Sequence, residues 1–176
     1  MDSVDNSDAL IEEFLKENYK IYGSYIIKDG IVDIIGSIEA VNKDITQLTN
    51  GIFRFGTIKG IFNCGSCKSL KSLEGAPKEV YWNFYCSYCD SLTSLDGAPE
   101  VVGRDFYCDG CDSLTSLKGA PERVRGDFNC SYCDSLTSLE GAPRKVGDRF
   151  DCRNCKVKFS KDNVTNICKV NSYIMI

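Results

Sequence analysis

The chain has 176 residues, enough for one ordinary domain or one short repeat array, and 43% hydrophobic with 26% charged residues is a globular composition. A net charge of −4 argues against a nucleic-acid partner, whose phosphates select basic proteins, and no apolar stretch is long enough to span a membrane. Because the chain contains no His, Ser-His and Cys-His nucleophile pairs and His metal ligands are excluded.

The N-terminal segment predicts a cap made of a helix and a hairpin. Residues 1–5 lack the positive start and apolar run of a secretory signal, so we expect a soluble intracellular protein with reduced thiols. Ser7 or Asp8 is the expected N-cap of the helix, and Asp29-Gly30 is a hairpin turn signal between two apolar runs. The apolar residues at helical spacing are Ala9, Leu10, Ile11, Phe14 and Leu15.

A 22-residue repeat fills the middle of the chain. Four complete copies begin at Phe62, Phe84, Phe106 and Phe128, and a truncated copy, FDCRNCKVKF, begins at Phe150. A degenerate copy precedes them and contains Ile38, Ala40, Ile45 and Leu48. Periods of this length are typical of solenoids, in which each repeat buries its apolar face against its neighbours.

Each copy reads F-x-C-x-x-C-x-x-L-x-x-L, then G-A-P, then Val. The F-x-C start alternates, as a short strand with one buried face does, so Phe84 and Cys86 are expected to point inward. The segment from Leu92 to Pro99 leaves no room for a full α-helix. The sequence therefore predicts a mainly β protein, a right-handed parallel β-solenoid of about five repeats with one strand per repeat.

This pattern resembles the leucine-rich-repeat consensus L-x-L-x-x-(N/C)-x-x-L between about Ile38 and Phe159. Phe84 and Cys86 stand at its two Leu positions, and Cys89 stands at its Asn/Cys position. The wording C-D-S-L-T-S-L-x-G-A-P is similar to short cysteine-containing leucine-rich-repeat proteins of bacteriophages and prophages. The resemblance implies a non-catalytic binding protein that acts in the cytoplasm of a bacterial host.

The C-terminal residues are expected to cap the array. Ser160 is the expected N-cap of a short helix that runs through Ile167, and the tail from Tyr173 to Ile176 is expected to lie over the last coil. We therefore divide the chain into an N-terminal cap (1–37), a solenoid (38–159) and a C-terminal cap (160–176).

Ten of the 11 cysteines form five C-x-x-C pairs. Zinc is the strongest functional interpretation, but straight columns of Cys about 4.8 Å apart bring four sulfurs together only with distortion. A redox pair needs an exposed thiol of low pKa at a helix N-terminus, and disulfides need converging Cα–Cβ vectors. We therefore expect core thiols and no cofactor. A calcium column at Asp90, Asp112 and Asp134 offers few oxygens per site.

The outward strand positions vary, although the core and return positions hardly change. Exposed Tyr, Trp and Arg are typical of protein–protein hot spots, whereas stacked Tyr can also simply support a ladder. The candidate partner-binding residues are Tyr81, Trp82, Tyr85, Tyr88, Arg104, Asp105, Tyr107, Asp109, Arg125, Asp127, Tyr132 and Arg149.

Three functions remain open at this point. The first is a protein-binding module that inhibits a host effector, for example an RNA-guided (CRISPR) nuclease of bacterial immunity. The second is a zinc- or thiol-dependent protein acting through its C-x-x-C array. The third is a structural virion component. No pair of carboxylates has a spacing that demands catalysis, so we do not expect an enzyme.

Overall fold

The computed structural model describes residues 6–40 and 43–176. It begins with helix α1 (Asn6–Asn18), followed by strands β1 (Tyr19–Lys28) and β2 (Ile31–Ala40). The two strands pair antiparallel across Asp29-Gly30, and both turn residues have a positive φ, as a two-residue hairpin of the favoured twist requires. The predicted helix and hairpin are thus confirmed, whereas Ser7 and Asp8 lie inside the helix and neither is its N-cap.

The rest of the chain winds into a parallel β-solenoid of about six turns. Each turn contributes two short strands rather than the single strand predicted. The strands are β3 (Arg54–Ile58), β4 (Phe62–Asn63), β5 (Glu79–Val80), β6 (Phe84–Tyr85), β7 (Val101–Val102), β8 (Phe106–Tyr107), β9 (Arg123–Val124), β10 (Phe128–Asn129), β11 (Lys145–Val146), β12 (Phe150–Asp151), β13 (Lys169–Val170) and β14 (Ile174–Met175).

Two parallel ladders result, and both start from β2. The odd-numbered strands β3 to β13 form one ladder and the even-numbered strands β4 to β14 form the other. Strand β2 is long enough to pair with both, since Ile34 lies opposite Ile58 and Ile38 lies opposite Phe62. Between the ladders the chain bends at three residues, as at Tyr81-Trp82-Asn83. The hairpin therefore provides the template on which the first turn is laid.

In the core, the equivalent residues of successive repeats lie above one another and form columns. Phe62, Phe84, Phe106 and Phe128 are fully buried, and successive rings stack at centroid distances of 5.2, 5.3 and 5.5 Å with interplanar angles of 8° or less. The Val, Leu and Cys columns surround these rings and are buried as well. The predicted orientation, with Phe and Cys inside and the alternate residues outside, is confirmed.

The return segment depends on glycine where neighbouring coils touch. Gly97 has a φ of +90°, and a Cβ there would lie 2.5 Å from the backbone nitrogen of Glu74 in the previous coil. No other residue fits so close an approach in that conformation. Pro99 follows and is buried. The G-A-P motif thus lets the coil turn directly against its neighbour without a helix.

The C-terminal cap continues the ladders. Helix α2 (Lys161–Thr165) replaces the return segment of the last turn, and Ser160 caps it through a capping box with Asn163. The helix ends at Thr165, two residues before the predicted Ile167. Strands β13 and β14 then pair with β11 and β12, so the tail covers the last coil as predicted. Neither helix of the described residues is long and apolar enough to cross a bilayer.

Candidate protein-binding face

One surface of the solenoid is called here the strand face. It consists of the outward side chains of β4 to β12, of the bends before the even-numbered strands, and of the residues just after those strands. None of the twelve candidate residues is fully buried. Tyr81, Trp82, Tyr88, Arg104, Arg125 and Tyr132 are exposed, and Tyr85, Asp105, Tyr107, Asp109, Asp127 and Arg149 are half-buried. Their contacts divide them into groups with different structural roles.

The bends carry a cluster of aromatic and basic side chains. The guanidinium of Arg104 lies 5.3 Å from the Trp82 ring centroid, and Nζ of Lys59 lies 3.8 Å from that of Tyr81. Both distances are within the range of a cation–π contact. Lys59 was not among the predicted residues, although it stands one 22-residue repeat before Tyr81. About half of the Tyr81 and Trp82 surface is still exposed.

The middle of the strand face holds a stacked tyrosine pair. The rings of Tyr85 and Tyr107 lie 5.2 Å apart at 23°, and the Asn83 side-chain amide donates a hydrogen bond of 2.6 Å to the Tyr85 hydroxyl. Burial and the carboxylates of Asp105 and Asp127 raise the pKa of Tyr107. These two residues therefore support the ladder, which was the alternative interpretation of the tyrosine columns.

Hydrogen bonds from backbone amides of the bends are accepted by the side chains of Asp105 and Asp127, and Arg149 pairs with Asp127. The side chain of Asn83 accepts a hydrogen bond from the Asp105 amide, Asp105 accepts one from Asp127, and Asp127 accepts one from Arg149. Asp127 also binds the Arg149 guanidinium, which raises the pKa of Arg149. This ladder satisfies bend amides that the strands leave unpaired. Its sequence signal is the Asn or Asp that stands just before Phe84, Phe106 and Phe128.

The other two charged candidates differ in their contacts. Asp109 accepts a hydrogen bond of 2.6 Å from the hydroxyl of Ser87 in the preceding coil. Arg125 makes no side-chain hydrogen bond or ion pair within the described residues. Of the charged candidates, Arg125 is thus the one whose side chain is most available to another molecule.

The column that contains Tyr88 and Tyr132 has an unusual backbone conformation. All five members lie in the left-handed region, with φ values of 62° at Ser66, 57° at Tyr88, 65° at Gly110, 58° at Tyr132 and 56° at Asn154. Gly and Asn adopt this conformation readily, whereas a side chain such as Tyr costs about 1–2 kcal/mol there. Yet Tyr88 is 55% exposed and Tyr132 is 57% exposed.

The cysteines point into the core and hydrogen-bond to neighbouring coils in both directions. The thiol of Cys86 donates to the carbonyl of Tyr107 in the next coil, and that of Cys89 donates to the carbonyl of Cys64 in the previous one. The equivalent pairs repeat this pattern along the array. The four C-x-x-C pairs from Cys86/Cys89 to Cys152/Cys155 thus each connect one coil to both of its neighbours.

Burial raises the pKa of all these thiols. It raises the pKa of Cys89 and Cys133 to about 12 and that of the lone Cys168 to about 11. Such thiols are protonated at neutral pH, whereas nucleophiles and metal ligands are thiolates. Among residues 6–40 and 43–176, no three His, Cys, Asp or Glu side chains lie where they would hold a metal ion. The arrangement supports a structural role for the cysteines.

Comparison with known proteins gives no match to a family model, to a curated protein sequence or to a solved structure. The assignment to a parallel β-solenoid therefore rests on the chain's own repeat and on the two ladders that it forms.

Proposed function

We propose that this protein is a non-catalytic protein–protein interaction module whose strand face binds a protein partner. More specifically, we propose a phage-type accessory protein of the leucine-rich-repeat kind that inhibits a bacterial host effector, such as an RNA-guided nuclease. It acts in the host cytoplasm without a cofactor and without direct binding to nucleic acid or membrane. The resemblance of the repeat wording to phage-borne proteins supports this choice of partner.

The observation that carries the proposal is the pair of exposed tyrosines in left-handed backbone. At the same position three other repeats use Ser, Gly or Asn, and the same turn forms in all of them. The fold therefore does not need Tyr88 or Tyr132, and each has a conformational cost. A costly residue that leaves half its ring in water is explained by contact with another molecule.

The exposed bend residues extend this argument. Tyr81 and Trp82 are 45% and 51% exposed, and rigid aromatic side chains of this kind contribute large contact areas at little entropic cost. Lys59 and Arg104 lie beside them and supply charge at the rim. Tyr81 and Trp82 thus supply exposed apolar area of the kind that a protein interface needs.

A binding and inhibition assay tests the proposal. A panel of purified host nucleases is mixed with the protein, and complex formation by size-exclusion chromatography is measured together with cleavage of target DNA. We expect a complex and reduced cleavage with at least one nuclease. The triple variant Trp82→Ala, Tyr88→Asn, Tyr132→Asn should weaken the complex at least a hundredfold, since hot-spot residues dominate interface energies.

The control carries three substitutions on the return side, Thr93→Ala, Lys118→Ala and Glu140→Ala, all at exposed positions. It should bind like the wild type. Absence of a complex with every nuclease contradicts the inhibitor proposal, and equal loss in both triple variants contradicts the assignment to the strand face.

Self-assembly, as in a virion component, is the second candidate. Strand β1 pairs only with β2, so its outer edge is unpaired within the described residues, and Tyr22 and Ile26 on this strand are about half exposed. Long unpaired edges of this kind pair readily with other chains. A mass of a single chain by light scattering at high protein concentration contradicts this candidate.

A further inference from the structure

The two exposed tyrosines and the glycine between them in the column, Gly110, line one groove on the surface. Tyr88, Gly110 and Tyr132 occupy the same position in three successive coils, and the groove between them has a volume of about 430 Å³. Its charged lining consists of one ammonium, that of Lys68, and three carboxylates, those of Asp90, Asp112 and Asp134. We call this groove the tyrosine slot.

Gly110 creates the slot because it carries no side chain. A Cβ at this position would lie 2.5 Å from Cδ1 of the Tyr88 ring, so the ring rests on the glycine backbone. Coils two apart are separated by about 10 Å, twice the usual strand spacing. A planar group between two rings needs about 7 Å. The spacing of the coils that carry Tyr88 and Tyr132 therefore leaves room for a planar group.

The charge of the slot is negative and largely uncompensated. Asp90 pairs with Nζ of Lys68 at 3.4 Å, whereas neither Asp112 nor Asp134 has an ion pair among the described residues. Both of these aspartates are exposed at the mouth of the slot. In this column Lys stands in the first and last repeats, at Lys68 and Lys156, so the negative charge is confined to the three central coils.

We propose that the tyrosine slot binds the guanidinium group of an arginine on the protein partner. A guanidinium is planar and stacks on aromatic rings, and its fork of donors matches a carboxylate in a bidentate arrangement. A lysine ammonium matches the charge but cannot fill a slot between two rings, and a nucleic-acid phosphate is repelled by the aspartates. This inference rests on the proposed function and names the chemistry of its partner.

The test uses short peptides as probes, Ac-Gly-Gly-Arg-Gly-Gly amide and the same peptide with citrulline, which keeps the shape of arginine but is neutral. NMR spectra of the labelled full chain are recorded during titration with each peptide. We expect saturable shifts of the Gly110 amide and of the Tyr88 and Tyr132 rings with the arginine peptide. The citrulline peptide should bind at least tenfold more weakly, because charge and carboxylate pairing are lost.

Two variants locate the binding in the slot. Gly110→Asn suits the left-handed backbone, as Asn154 does with a φ of 56°, and its side chain displaces the Tyr88 ring from its place over the glycine and so disrupts the slot. Asp112→Asn combined with Asp134→Asn removes the charge and keeps the shape. Each should weaken arginine-peptide binding at least fivefold. The control Glu140→Gln removes one exposed charge from the return side and should bind as the wild type does.

The outcomes separate this inference from the proposed function. Absence of shifts with the arginine peptide, equal binding of citrulline, or full binding by the folded Gly110→Asn variant overturns the inference. If the Gly110→Asn variant still binds a nuclease while the Trp82 triple variant does not, the slot inference fails and the proposed function stands. If the arginine peptide binds the slot and no nuclease forms a complex, the slot stands and the inhibitor proposal fails.

Discussion

The phenylalanines inside the solenoid and the tyrosines outside it recur at the same 22-residue interval but form columns of opposite character. Phe62, Phe84, Phe106 and Phe128 make an unbroken stack with nearly parallel rings. The outer column that holds Tyr88 and Tyr132 is interrupted, since Gly110 separates the two tyrosines. The gap leaves each of these rings without an aromatic neighbour in its own column, so this column adds less to the stability of the fold than the inner one does. Its exposed rings are the ones that we propose for recognition.

We expect the folded chain to lose stability at alkaline pH because its buried cysteine columns ionise more readily on unfolding. The unfolded chain ionises its thiols with a pKa of about 8.5, whereas burial keeps those of the folded chain protonated to higher pH, with Cys89 and Cys152 at about 12. Stability is therefore fully present below about pH 8.5 and is lost as pH rises toward 12. At pH 9 each buried thiol costs about 1 kcal/mol, so ten of them approach the whole stability of a domain.

Urea unfolding in the presence of a reductant, measured by circular dichroism from pH 7 to pH 10, checks this prediction. The midpoint should fall steeply above pH 8.5. An unfolding free energy that stays constant to pH 10 shows that the thiols do not need to be neutral in the folded chain. Removal of metal by a chelator at pH 7 should leave the midpoint unchanged, and loss of structure on chelation supports the zinc alternative instead.

We expect the next largest loss in the free energy of unfolding when the stack of buried phenylalanines is interrupted. Phe106→Ala removes a fully buried ring between two stacked neighbours and should lower the free energy of unfolding by about 3–5 kcal/mol. The matched variant Tyr107→Ala changes the adjacent, half-buried residue and should cost about 1 kcal/mol or less. Denaturant unfolding of both variants makes the comparison, and equal losses contradict the division into inner and outer columns.

Replacement of a single Cys tests the hydrogen bonds through which the thiols connect neighbouring coils. Cys111→Ala removes a 3.1 Å hydrogen bond to the buried carbonyl of Cys86 and should cost about 1–3 kcal/mol, since the carbonyl is left without that donor. Cys155→Ala removes the equivalent bond of a half-buried thiol near the end of the array, where water can replace it, and should cost less. A larger loss for Cys155→Ala in denaturant unfolding argues against this account of the thiols.

The sequence predicted the columns but not the shape of the strand that carries them. Identical spacing of Phe, Cys and Leu forces equivalent residues into register, so the core orientation followed directly. The bend that splits each strand was missed because the Asn83, Asp105 and Asp127 ladder that satisfies its amides forms only when neighbouring coils are in contact. The roles of Asp105 and Asp127 in accepting hydrogen bonds from bend amides were missed for the same reason, and their predicted contact with a partner stays a prediction.

The left-handed column was detectable in part. Gly110 and Asn154 are residue types that favour a positive φ, and they stand in the same column as the two tyrosines. The tyrosines themselves hid this signal, because Tyr at such a position contradicts local preference. The start of helix α1 was predicted too late in the chain. Ser7 and Asp8 are residue types that favour the N-cap position, but the helix already includes Asn6.

The central claim is that Tyr88 and Tyr132 serve a partner and not the fold, and the double variant Tyr88→Asn, Tyr132→Asn tests it most directly. Asn suits the left-handed backbone, so the free energy of unfolding in urea should stay equal to that of the wild type or rise by about 1–2 kcal/mol. A fall of more than about 1 kcal/mol, the loss typical of a residue that stabilises the fold, contradicts the claim.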